Sequence, residues 1–165
     1  RYAVLLKAVQ VLTLAFPHLK CVLVGSGSQE QFLRKHANAL GISSNVIFVI
    51  NKEANCYYTL FDCFVLSSLK EGISIALLEA MRAGCAPVVA SDSKNHSVIT
   101  NTYNGFIAYP GDAHVLAQNV HMLITNENLK KRVARAAAET IMQSYNQQKM
   151  IDEYAKIFAH SCRNT

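Results

Sequence analysis

The sequence predicts an α/β protein: a three-layer, doubly wound (Rossmann-like) parallel sheet of about five or six strands, followed by a helical C-terminal tail. Three observations predict it. Short apolar runs alternate with amphipathic stretches of helical period, and a β-α-β-α order calls for parallel strands joined by helical crossovers. The runs lack polar alternation, so each strand should be covered on both faces. The last third of the chain carries helical patterns only.

Val4, Leu5, Ala8, Val11, Leu12 and Ala15 recur at helical spacing and stop before Pro17, whose ring a helix interior does not accept. Residues 21–24 form the first strand, which ends on Gly25-Ser26-Gly27-Ser28. Residues 29–40 read as a helix closed by Gly41 just past its end. Residues 46–50 and 63–66 are the second and third strands. A helix over 74–83 is closed by Gly84, and 87–90 is the fourth strand. The Asn104-Gly105 turn leads into a fifth strand over 106–109. Helices over 113–124, 127–142 and 147–159 make up the tail, residues 113–160. The last carries Met150, Ile151, Tyr154, Ile157 and Phe158 on one stripe, for which packing on the domain's own surface is favoured over packing toward a partner domain.

A chain of 165 residues that is 51% hydrophobic can bury one core, which excludes a disordered chain and fits a single domain over 1–165 without internal linker. No apolar stretch reaches the roughly 18 residues of a spanning helix. The sequence opens on Arg1 inside a helical pattern, so a fragment is expected. Cys21, Cys56, Cys63, Cys85 and Cys162 are odd in number and lack paired spacing; they are expected as reduced core thiols of a cytoplasmic protein. The histidines never fall at metal-binding intervals, so no metal site is expected.

Ligands of doubly wound sheets sit at the carboxyl ends of strands, which directs attention to the loops after Val24, Ile50, Leu66 and Ala90. Gly25 and Gly27 sit in the first of these. Such a loop lets the backbone approach a phosphate near a helix N-terminus, and it serves equally as a plain tight turn. It lacks the third glycine of the dinucleotide fingerprint. The segment after the third strand is richer. Glu71 precedes the helix that opens near Ser74, and Glu79 lies inside that helix. The eight intervening steps place the two carboxylates up to ~12 Å apart, with helix-start amides between them. That layout suits a ligand with hydroxyls at both ends and a diphosphate in the middle, such as a sugar nucleotide. Glu79 is flanked by Leu77, Leu78, Ala80 and Met81, surroundings in which an unpaired carboxylate is costly. The alternative is a solvated loop charge at Glu71 and an exposed helix residue at Glu79.

The block from Glu71-Gly72-Ile73-Ser74 through Glu79-Ala80-Met81 to Val89-Ala90-Ser91-Asp92 resembles the E-x7-E segment of retaining GT-B glycosyltransferases of family 4, the glycosyl transferase group 1 domain. Leu23-Val24-Gly25-Ser26-Gly27 is similar to that family's strand-and-glycine loop. Leu60 to Ser68 resembles its aspartate-containing strand, and Asn104 to Asp112 its glycine-containing strand entry. The likeness runs from about Tyr2 to about Met142.

The resemblance implies a donor-binding domain that takes a hexose from a nucleotide sugar, UDP- or GDP-linked, and passes it with retention to a glycan or glycolipid. Glu71 would be the catalytic residue, touching hydroxyls of the transferred sugar. Backbone at Gly72, Ile73, Ser74, Ile75 and Ala76 would hold the distal phosphate, and Gly25 and Gly27 would line the diphosphate. Glu79 would hold the ribose, with Ile50 and Asn51 near the base. No cofactor or metal is implied. The implied partner is an N-terminal acceptor domain of the same parent chain, absent here, so the isolated chain is expected to bind donor weakly and transfer nothing.

Three departures stand out: the family's basic pair lies upstream of this sequence, 93–97 replaces a glycine- and glutamate-bearing loop, and Ser67 stands where proline is frequent. Another GT-B enzyme such as a nucleotide-sugar epimerase, or a degenerate non-catalytic binding module, are the alternatives. Lys130, Lys131, Arg132 and Arg135 form a basic cluster. A solvated helix face is the favoured reading and peripheral contact with the cytoplasmic membrane face the second. Without interleaved aromatics, a nucleic-acid partner is not expected.

Overall fold

The computed structural model describes residues 2–50, 55–68, 72–90 and 97–161. Helix α1 (Tyr2–Ala15) precedes β1 (Cys21–Val24) and α2 (Glu30–Ala39); a 3-10 turn at Ser43–Asn45 leads into β2 (Val46–Val49). The short α3 (Asn55–Tyr58) is followed by β3 (Cys63–Leu66), α4 (Ile75–Arg82), β4 (Ala86–Ala90) and β5 (Phe106–Ala108). Helices α5 (Ala113–Thr125), α6 (Glu127–Ser144) and α7 (Gln147–Ser161) complete the chain. Each expected strand and long helix is present, with ends shifted by a residue or two; α3 and the 3-10 turn are additions.

All strand pairs are parallel, with Cys21 opposite Val46, Cys63 opposite Ala86 and Val88 opposite Phe106. Among the described residues the ladders fall into a pair, β1-β2, and a triplet, β3-β4-β5. The α/β class with parallel strands and a helical tail therefore stands. The layers are held across the two ladders by side chains: Leu23 and Val46 share one core with Ala86, Val88, Phe106 and Ala108, together with Leu5, Leu6 and Leu12 of α1 and Leu116 and Leu123 of α5. β4 is buried along its whole length, as a strand flanked on both sides and covered on both faces should be.

Both predicted closing glycines adopt left-handed backbone, Gly41 at φ +72° and Gly84 at φ +84°. Each makes the paired bonds of a Schellman cap. Ile42 N–H donates to Ala37 O at 3.0 Å and Gly41 N–H to Asn38 O at 2.9 Å; Cys85 N–H donates to Ala80 O at 3.0 Å and Gly84 N–H to Met81 O at 3.1 Å. The residues that follow, Ile42 and Cys85, are then buried, so each cap also aims the chain into the core.

The turn expected before the fifth strand is present over 102–104, and its left-handed residue is Thr102, at φ 67°. Gly105 is needed for space, because a Cβ on it would lie 2.9 Å from Pro87 Cγ and 3.0 Å from Ile99 Cδ1. The α7 stripe does not pack on the domain. Met150, Ile151, Tyr154, Ile157 and Phe158 are 48–65% exposed, and the helix turns its apolar face outward. No described helix is long and apolar enough to cross a membrane.

Candidate functional site

Helix α4 organises the region. Its 3.6-residue period sends Leu77, Ala80 and Met81 fully inside, where Leu77 and Met81 share a cluster with Val89, Ala137 and Ile141. The same period puts Glu79 on the exposed face. The expectation that apolar sequence neighbours make this carboxylate costly is thereby corrected, since those neighbours point the other way. Glu79 is nonetheless held: the Tyr58 hydroxyl donates to its Oε2 at 3.1 Å. Tyr58 ends α3 and is 3% exposed, its ring edge-on to Phe61 and Phe64 at 6.3 and 6.0 Å between centroids. The Cys85 thiol donates to the Tyr58 carbonyl at 2.9 Å, joining α3 to the cap of α4. Burial, and then the hydrogen bond to Glu79, push the Tyr58 phenol up to about 12, so it stays a donor throughout the neutral range.

The other end of α4 faces solvent. Ser74 takes the N-cap position in extended backbone (φ −74°, ψ 120°), and its carbonyl accepts from Leu78 N–H at 3.2 Å. Ile73 and Ile75 beside it are 42% and 71% exposed, and a Cβ on Gly72 would meet nothing. The first-turn amides of Ile75 and Ala76 have no acceptor within their own helix and sit at the positive end of its dipole. Of the residues expected to cradle a phosphate, Gly72, Ile73, Ser74, Ile75 and Ala76 thus share one accessible helix start.

The glycine loop lies at the carboxyl ends of the first two strands. Gly25, at φ +134°, donates its N–H to Val49 O at 2.9 Å and so ties the end of β1 to that of β2, next to the exposed Ile50. The Gly27 carbonyl accepts from Glu30 N–H at 3.2 Å, starting α2. Both glycines face open space. Only glycine takes the backbone of residue 25 without strain, whereas residue 27 needs no left-handed conformation.

Glu71 and Asn51 lie outside the described residues, as do Arg1, Cys162 and most of the 93–97 departure. The carbonyl of Ser97 accepts from the Tyr145 hydroxyl at 3.4 Å, next to the end of α6. Ser74 caps α4 and Glu79 lies within it, about 7.5 Å further along the axis. Sequence reasoning passed over Tyr58; its only signal is an aromatic pair, Tyr57-Tyr58, ahead of the third apolar run. It also passed over Ser68, whose buried Oγ at the end of β3 has no hydrogen-bond partner among the described residues.

The basic cluster of α6 is largely spent on ion pairs. Lys130 reaches Asp62 at 2.6 Å and Glu127 at 2.9 Å, Lys131 reaches Glu127 at 3.5 Å, and Arg135 reaches Glu139 at 2.8 Å. Those contacts favour a solvated, internally paired face.

Parallel strands, glycine loop and open helix start together make an α/β fold of the kind found in glycosyltransferases. Structural comparison gives that class: the C-terminal domain of the LpcC glycosyl transferase group 1 protein from Francisella tularensis matches with a TM-score of 0.78 at 22% identity, covering 88% of this chain and 79% of that one. HepE from Anabaena, solved in complex with UDP-glucose, matches with a TM-score of 0.87 at 21% identity over 95% of this chain and 44% of that one. The chain belongs to the family Glycosyl transferases group 1, whose model matches residues 1–140. Among curated relatives, the N,N'-diacetylbacillosaminyl-diphospho-undecaprenol alpha-1,3-N-acetylgalactosaminyltransferase of Campylobacter jejuni is 30% identical over 150 residues, 87% of this chain and 38% of that protein. The putative glycosyltransferase EpsD of Bacillus subtilis is 27% identical over 157 residues, 94% of this chain and 41% of that protein. The chain spans about two-fifths of the length of these relatives.

Proposed function

We propose that the chain is the donor-binding part of a nucleotide-sugar-dependent glycosyltransferase that transfers a hexose with retention of configuration to a glycan or glycolipid. The observation that carries this reading is Glu79, solvent-facing and hydrogen-bonded by Tyr58, five residues beyond the N-cap Ser74. A carboxylate is a good acceptor for vicinal hydroxyls, and a helix start is a good seat for a phosphate. In this reading Glu79 takes the ribose, and the amides near Gly72, Ile73, Ser74, Ile75 and Ala76 take the distal phosphate. Gly25 and Gly27 line the diphosphate, Ile50 and Asn51 lie by the base, and Glu71 is the catalytic contact to the sugar.

The positive end of α4 would then stabilise the charge that grows on the departing nucleoside diphosphate, which is preorganised electrostatic catalysis. UDP-glucose bound to HepE, of like fold, supports a UDP-linked donor; GDP is the other candidate. The acceptor would be bound by a further domain of the parent chain, against which the exposed apolar stripe of α7 could be buried. A cytoplasmic seat, with peripheral membrane contact where the acceptor is a glycolipid, completes the reading. The chain alone should bind donor weakly and transfer nothing.

Calorimetric titration with UDP-, GDP- and ADP-sugars, repeated on Glu79→Ala, tests the proposal. Saturable binding by one of them that is lost in the variant supports it. Heat of binding unchanged by Glu79→Ala sinks it.

A further inference from the structure

Glu79 stands exposed on a helix, and an exposed glutamate samples many rotamers. A ligand that binds such a side chain must first order it, which weakens binding. Here the ordering is already built in. The Tyr58 hydroxyl, 3.1 Å from Oε2, grips one oxygen of the carboxylate. The ring that carries it cannot swing away: it is buried with Ala80 and Cys85 and flanked by Phe61 and Phe64. Its backbone is fixed in turn by the Cys85 thiol. A carboxylate offers about four lone-pair sites, so one bond from Tyr58 leaves acceptor capacity among the described residues for a pair of vicinal hydroxyls.

We infer that Tyr58 is a positioning residue that holds Glu79 ready for the ribose and thereby sets preference for ribonucleotide donors over analogues lacking the ribose hydroxyls. This rests on the proposed ribose role of Glu79 and extends it to a residue that need not touch the ligand. With its phenol pushed up to about 12 by burial and by Glu79, Tyr58 stays protonated at neutral pH and available as a donor. The ring alone explains the packing between α3 and α4, whereas the hydroxyl has no packing role there. Tyr58→Phe separates the two.

The experiment measures the affinity of the full-length protein for UDP and for 2′,3′-dideoxy-UDP, in the wild type, Tyr58→Phe, Glu79→Gln and the double variant. Thermal melting of each is recorded alongside. Tyr58→Phe should weaken UDP binding about fivefold and leave the dideoxy analogue within about twofold of the wild type, as expected when a hydrogen bond acts through a charged group. The double variant should bind UDP no worse than Glu79→Gln alone, because the amide that Tyr58 would then hold no longer offers the ribose a second acceptor oxygen.

Equal weakening of both ligands by Tyr58→Phe would make Tyr58 a packing residue and overturn the inference. So would unchanged UDP affinity in that variant, or a further loss in the double variant. If Glu79→Gln itself keeps the full preference for UDP over its analogue, the ribose role of Glu79 falls, and the inference falls with it. Loss of preference in Glu79→Gln but not in Tyr58→Phe overturns the positioning role alone.

Discussion

The side-chain amide of Asn104 donates to Val98 O at 3.1 Å and to Thr140 Oγ1 at 3.0 Å, while its oxygen accepts from Thr100 N–H at 2.7 Å. One side chain, 2% exposed, thus ties the loop before β5 to the C-terminal part of α6. Thr140 passes the link on, donating to Ala136 O at 2.8 Å. Asn104→Ala leaves buried donors and acceptors unpaired and should cost about 2–3 kcal/mol, read by urea denaturation. A loss below about 0.5 kcal/mol would mean that the network is not maintained in solution.

Gly105 makes a second, steric prediction. Gly105→Ala should destabilise by roughly 1–3 kcal/mol, because the added methyl meets the Pro87 ring and the Ile99 side chain. Truncating Ile99 to Val in the same chain should recover part of that loss, since it removes the nearer of the two Ile99 atoms.

Thiol chemistry gives a third. Burial pushes Cys21 and Cys63 up to about 12 and Cys85 up to about 11, from an ordinary 9.0. The fold favours the neutral thiol, so this contribution is complete below pH 9. It is lost as pH rises from 9 towards 11–12, where only the unfolded chain ionises freely. Stability should therefore fall on that alkaline limb. Because the thiolate is the nucleophile, iodoacetamide at pH 8 should modify the exposed Cys56 well before Cys21, Cys63 or Cys85. Mass spectrometry that finds Cys85 alkylated in the native protein as fast as Cys56 would contradict the burial of Cys85 at the cap of α4.

Glu79→Ala supplies the functional contrast. Position 79 is on an exposed helix face and alanine is a good helix former, but the change leaves the buried Tyr58 hydroxyl without its acceptor, so stability should fall by about 1–2 kcal/mol. Donor affinity should drop about tenfold or more, as expected on losing a carboxylate that accepts ribose hydroxyls. A variant that loses stability but keeps full donor affinity would place Glu79 in the scaffold instead.

Much of the fold was legible because it is encoded locally. Short β-branched apolar runs set between helical patterns read as strands, and Gly41 and Gly84 end their helices where left-handed backbone is required. The steric need for glycine at 105 was not legible, because it is set by Pro87 and Ile99, which close on it only in the folded chain. The α7 stripe misled, since a helical pattern shows which face is apolar but not what lies opposite it.

The sequence by itself determined the α/β order, the parallel strands and the identity of the residues around Ser74 and Glu79, because periodicity, capping and motif spacing act within a few turns of chain. Tertiary structure decided that Glu79 faces water rather than apolar neighbours, and that Tyr58, twenty-one positions earlier, meets it. That contact depends on how α3 packs against α4 through Phe61, Phe64 and Cys85, and packing between elements is fixed only when the core closes.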